Sequence, residues 1–257
     1  MTMWKYFGTF VNVLTVLLGS AIGLALRTRG SRPHPETGRV SLPDAMMSCL
    51  GLCTVFAAAS GLLGVESGAQ AIVVVASMVL GLLIGYALRL DDHINSLGDR
   101  LVRRAGGSAG AANPAAGFVT ACLLFCIGSM TILGAFEGAR NGAGGLDLNC
   151  HTTLLIKSLL DFVSSACLSV TYGASVMASA VFVLLFQGGL TLLASCIQPF
   201  LLRINALPMV NCVGSLILLS IAMNLMGLKK MKTADYLPAL FLPILICALL
   251  GGLGVTL

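Results

Sequence analysis

Eight stretches of about twenty mostly apolar residues recur along this chain, at roughly 7–26, 45–64, 71–90, 115–135, 154–173, 176–201, 208–227 and 236–256. A helix of about 20 residues crosses a hydrocarbon core of about 30 Å, and lipid offers no partner to a backbone that is not hydrogen-bonded within its own segment. Composition points the same way: 57% of residues are hydrophobic, 10% are charged and the mean hydropathy is +0.97, where soluble chains carry about 25% charge. The expected fold is an all-α polytopic membrane protein, a single transmembrane domain over 1–257 with about eight transmembrane helices. The first stretch ends in Arg27 and Arg29 and seven more follow, so it is expected to be a span and not a cleaved signal. The thinnest division is "TYGAS" (171–175), between the fifth and sixth.

The net charge of +5 lies in short blocks between apolar runs, which argues against a nucleic-acid partner. Loops 27–43, 89–114 and 228–235 hold eleven of the fifteen Lys and Arg residues. Eight spans put these loops on one face, cytoplasmic by the positive-inside rule, with both termini on the other. Eight of the nine cysteines lie within apolar runs as small packing residues, and no disulfide framework is implied. Cys49/Cys53 and Cys122/Cys126 are i,i+4 pairs that suggest a soft-metal site only weakly, since His34, His93 and His151 all lie in loops. No cofactor is expected. Without a phosphate loop, nucleophile elbow or zinc motif, neither is an enzyme.

An internal echo relates the two ends of the chain. Asn12 followed by "LLGSAI" (17–22) matches Gln187 followed by "LLASCI" (192–197), and Cys49, Gly51, Gly61, Leu62, Gly64 match Cys212, Gly214, Asn224, Leu225, Gly227. The offset is 175 residues in the first pair and 163 in the second. The matched spans run in opposite directions, which predicts an inverted repeat of helices 1–3 and 6–8 with helices 4 and 5 between. A parallel match competes: "GSAIGLALR" (19–27) resembles "GLLIGYALR" (81–89), placing Gly19/Gly23 and Gly81/Gly85 as close-packing faces. Such faces make a homodimer or higher homo-oligomer plausible.

"FVTACLLFCIGSMTILGAFEGARNG" (118–142), "KSLLDF" (157–162), "LLFQGGLTLLA" (184–194) and "MGLKKMKTADYLPAL" (226–240), with the opening "GTFVNVLTVLLGSAIGLALR", carry a family resemblance. The chain resembles the YqgA/YdfK-like bacterial membrane proteins over nearly its whole length. The resemblance implies the bacterial inner membrane and suggests transport, but brings no substrate. Residues 27–43 and 105–114 match least well.

The fifth span carries the sharpest anomaly. Lys157, Asp161, Ser165, Ser169 and Tyr172 fall along one helical face at steps of three and four, with Ser164 beside Asp161. Such a stripe has to face protein or a watery cavity. Asp161 sits about 10 Å in from the span's end, where an aspartate costs about 2.5–3.5 kcal/mol. Lysine can snorkel outward; aspartate needs a partner or a bound cation. Asp161 is therefore read as a cation or proton site with Lys157 as its competing charge, against the plainer reading of a structural ion pair.

Other candidates surround this one. Gln187-Gly188-Gly189 offers an amide and a possible helix break in the sixth span. Ser129, Thr131 and Glu137 lie toward the end of the fourth, with Glu137 either pairing with Arg140 or forming an entrance. Asn12 and Asn224 are expected to bond between helices. Pro243 is expected to kink the last span, and 90–106 to form an amphipathic helix on the membrane surface. The leading functional expectation is a secondary transporter of a small solute or ion, expected to be charged, binding at an intramembrane carboxylate. A passive oligomeric ion channel and a non-transporting membrane scaffold are the alternatives.

Overall fold

The computed structural model describes residues 3–30, 42–104, 114–126, 129–139 and 147–252, and among them every regular element is helical. In chain order the α-helices are α1 (Phe7–Gly30), α2 (Leu42–Leu62), α3 (Gly68–Ala87), α4 (Leu90–Arg104), α5 (Pro114–Cys126), α6 (Ser129–Ala139), α7 (Thr152–Tyr172), α8 (Ser175–Arg203), α9 (Leu207–Leu225) and α10 (Leu242–Gly252). Short 3-10 turns precede α1, α7 and α10.

Among the described residues, six segments are long and apolar enough to cross a membrane: Trp4–Arg27, Gly68–Ala87, Thr152–Tyr172, Ser175–Ala194, Leu207–Leu225 and Thr233–Gly251. The expected second span is α2, whose apolar part, Pro43–Ala59, is shorter. The expected fourth span falls on α5 and α6, and residues 127–128 between them lie outside the described residues. The thin division after the fifth span is real: α7 stops at Tyr172 and Gly173 turns the chain with φ 75°, a value glycine adopts without strain. Pro243 does not kink a helix. The last span is a 3-10 segment, Thr233–Leu240, followed by α10, so Pro243 falls in the first turn, where its missing N–H costs nothing.

Apolar residues fill the core and cover the outer surface as well, and several polar groups are buried between helices. Large apolar side chains such as Phe10, Phe56, Ile72, Leu83, Leu185 and Leu245 stand exposed, while Asn12, Ser20, Ser77, Lys157, Asp161 and Gln187 are buried. This is the arrangement of a bundle solvated by lipid, where exposed apolar surface is the favourable state.

With no hydrophobic drive between helices in lipid, small residues let backbones approach closely. A Cβ at Gly19 would overlap the Phe162 carbonyl and Ser165 Oγ, and one at Gly23 the Ala166 carbonyl, so α1 lies directly against α7. Gly81 and Gly85 likewise press α3 onto Ala239 and the Asp235 carbonyl. The two matching glycine motifs share a packing function against different partners inside one chain, which leaves neither as a free dimer face. Gly51 of α2 meets Ala222 and Met226 of α9, and Gly61 meets Asn211 and Ser215.

The amphipathic helix forms as α4, and its start is tied to the last span. Asp91 N–H donates to Asp235 Oδ1 at 2.9 Å, and Ala234 N–H donates to Asp91 Oδ1 at 3.4 Å. Each aspartate thus accepts one of the unpaired N–H groups at the other's helix start, and Lys232 adds an exposed ion pair to Asp92 at 3.1 Å. Burial pushes the Asp91 carboxyl above its ordinary range; the Ala234 N–H opposes this, Asp235 adds to it, Lys232 opposes it and Asp92 adds to it. A raised folded-state carboxylate favours the protonated form, so its charge weighs against the fold above that titration and ceases to do so below it.

Two outcomes follow from this packing. Gly23→Ala is expected to lose about 1–3 kcal/mol, read as a lower Tm in detergent, while Gly188→Ala, where nothing lies within 4 Å, keeps the wild-type Tm or better; equal Tm values for wild type and Gly23→Ala would contradict the α1–α7 contact. Asp91→Asn keeps an acceptor for Ala234 and sheds the charge. Its Tm should equal or exceed wild type at neutral pH, with any advantage fading as pH falls through the Asp91 titration; a loss of several degrees at neutral pH would refute the balance described.

Candidate functional site

The polar stripe of α7 faces protein. Lys157 and Asp161 are 4% and 5% exposed, Ser165 and Ser169 are buried, Tyr172 is half-buried, and Ile156, Leu159 and Val163 point outward. Sequence dictates this: charged and hydroxyl residues at helical spacing share one face, and the glycines of α1 receive its lower half. Ser158 and Ser165 return their hydroxyls to the Leu154 and Phe162 carbonyls, at 2.7 and 3.0 Å, and need no further partner.

Lys157 Nζ and Asp161 Oδ2 form a direct ion pair within one helix. Asn12 of α1 lies beside the Asp161 carboxyl as a second hydrogen-bonding group. Its Nδ2 donates to Gln187 Oε1 of α8 at 2.9 Å, both residues being fully buried. Asn12 Oδ1 and Gln187 Nε2 have no partner among the described residues. Four residues singled out from sequence, Asn12, Lys157, Asp161 and Gln187, therefore form one chain of polar groups across α1, α7 and α8.

The pair lines a cavity of about 60 Å³ walled by α2, α5, α6, α7 and α9. Thr54, Ser164 and Cys53 are its other polar neighbours; Ala57, Leu124, Met130, Leu160 and Leu218 are apolar. By this measure a water needs about 10–15 Å³, so the space holds roughly four. Leu124, near the end of α5, and Met130, at the start of α6, both line this cavity. Thr131 of α6, fully buried, donates its hydroxyl to the Phe125 carbonyl of α5 at 3.2 Å.

The remaining sequence candidates sit elsewhere. The broken helix expected at Gly188-Gly189 does not occur: α8 runs unbroken from Ser175 to Arg203, and an added Cβ at either glycine meets nothing within 4 Å. The side chain of Ser129 and the whole of Arg140 lie outside the described residues. Glu137 accepts from Thr153 Oγ1 at 2.9 Å and from Thr153 N–H at 3.4 Å, so it caps the positive end of α7. Asn224 bonds the loop after its own helix, donating to the Met231 carbonyl and accepting from Met231 N–H, and not another span. Thr54, Met130 and Leu218 were missed as lining residues; only the isolated hydroxyl of Thr54 in an apolar run carried any signal. Among the described residues, no group of three or more His, Cys, Asp or Glu is placed to hold a metal ion.

These features define the class: a polytopic α-helical membrane protein with a charged pair buried at a small internal cavity. The chain belongs to the family described as "Protein of unknown function (DUF554)", whose profile matches residues 7–248. It is 28% identical over 255 residues, 96% of this chain and 98% of the relative, to the "Uncharacterized membrane protein YdfK" of Bacillus subtilis (strain 168). It is 29% identical over 238 residues, 91% of this chain and 93% of the relative, to the "Uncharacterized protein YqgA" of Escherichia coli (strain K12). No solved structure matches significantly.

The buried pair has a stability signature of its own. Lys157→Met, which leaves Asp161 charged and alone, should cost roughly 3–5 kcal/mol, whereas Lys157→Met/Asp161→Asn together should be near neutral. Thermal unfolding in detergent reads both; a single variant as stable as wild type would mean that water already reaches Asp161.

Proposed function

We propose that this protein is a secondary transporter of the bacterial inner membrane that moves a small solute or ion through a site at Asp161 and Lys157. The observation that carries the reading is the ion pair on the wall of an internal cavity, deep in a helix long enough to span the bilayer. Ionisable groups at that depth are expensive and characteristically mark substrate or ion pathways. A cavity beside the pair gives a ligand somewhere to compete for either charge, which a purely structural pair has no need of.

The internal repeat supports the same reading. Asn12 and Gln187, equivalent in the sequence echo, are hydrogen-bonded to each other, as equivalent residues are at a two-fold axis. Gly51 packs on the α9 turn that includes Asn224, the match of Gly61, and Gly61 packs on the turn that includes Gly214, the match of Gly51. Such reciprocal contacts are those of an isologous interface. Inverted repeats permit alternating access, in which one half rocks against the other around a fixed site. In this arrangement the basic loops 27–43, 89–114 and 228–235 are cytoplasmic and both termini lie outside.

Flux in proteoliposomes tests the proposal, with a panel of inorganic cations, anions and amino acids. Wild type should show saturable uptake accelerated by the same solute on the far side, and Asp161→Asn should lose most of it across the pH range. Equal flux in Asp161→Asn would remove the carboxylate from the mechanism. Unsaturable flux without counterflow would favour the channel, and no flux at all the scaffold.

A further inference from the structure

We infer that the solute is a small zwitterion, a molecule that carries an ammonium and a carboxylate on the scale of a small amino acid. This deepens the transport reading and rests on it. The cavity wall presents two opposite charges in direct contact, Lys157 and Asp161, and among the described residues no other charged side chain lines it. An inorganic cation entering between them would satisfy Asp161 and strand Lys157; an anion would do the reverse. Stranding one partner of a buried pair is the costly outcome, because its charge is left uncompensated in a medium that solvates it poorly. A zwitterion presents a carboxylate to Lys157 and an ammonium to Asp161, so the pair opens without leaving net charge behind.

Space limits size: about 60 Å³ corresponds to roughly four waters, on the order of 120 Å³ of liquid. That is the bulk of a small amino acid. The apolar walls Ala57, Leu160 and Leu218 suit a short aliphatic substituent.

Counterflow in proteoliposomes containing the full chain provides the test. Vesicles loaded with glycine, L-alanine or L-serine are offered the labelled compound, with N-acetylalanine, alanine methyl ester, sodium, potassium, formate and acetate as competitors. The zwitterions should exchange, and neither N-acetylalanine, which lacks the ammonium, nor alanine methyl ester, which lacks the carboxylate, should compete within about 30-fold of alanine. Lys157→Met/Asp161→Asn preserves charge balance and should stay folded by Tm, yet lose exchange by about the same factor. Competition by a single-charge analogue equal to that of alanine would overturn the zwitterion. Saturable flux of sodium, potassium, formate or acetate without amino-acid exchange would overturn it while leaving the transport reading standing. No flux of any solute through folded protein would overturn both.

Discussion

The contact between Lys157 and Asp161 constrains the rest of the molecule. Neither charge is tolerable alone at that depth, and together they still need a polar neighbour and a face turned away from lipid. Asn12 supplies the neighbour, which fixes where α1 runs; Gly19 and Gly23 make that course possible by letting α1 rest on the backbone of α7. Asn12 in turn holds Gln187, which places α8 on the far side. One buried pair thus organises three helices, and the cavity forms where α2, α5, α6 and α9 close around its open flank.

Close approach without side chains is the second theme. Glycines of α1, α2 and α3 each face the backbone or small side chains of another element, so the bundle is held by van der Waals contact and shape and not by apolar burial in the aqueous sense. At one end, Asp91 and Asp235 cap each other's helix starts, tying α4 to the last span through main-chain groups. Because these glycine faces are consumed within the chain, any oligomer has to use other surfaces.

The class was legible in the sequence, because lipid permits so few backbone solutions that apolar length nearly determines the element. The stripe of α7 was legible for the same reason: polar residues at helical spacing have to turn inward. Helix interruptions were harder. Gly188-Gly189 looked like a break but is continuous helix, since glycine only weakens a helix and the surrounding turns of α8 hold it. The 3-10 segment that places Pro243 in a first turn depends on neighbours that no local window contains. Asn224 and Glu137 show the same limit, because a polar residue near a helix end satisfies local backbone groups before it reaches another helix. The cavity wall was least legible: Leu218 and Met130 are ordinary apolar residues until the fold brings them beside Asp161.

The central claim is that the Lys157–Asp161 pair faces a cavity which opens in turn to each side of the membrane. Ser164 lines that cavity, and Ser164→Cys in a chain whose nine native cysteines are replaced puts a thiol there. Labelling by a membrane-impermeant thiol reagent, applied separately from each face of oriented vesicles, reads access most directly. Labelling from both faces, with the proportions shifted by a transported solute, is the predicted result. A thiol reached from neither face would mean a sealed structural ion pair and would contradict the account.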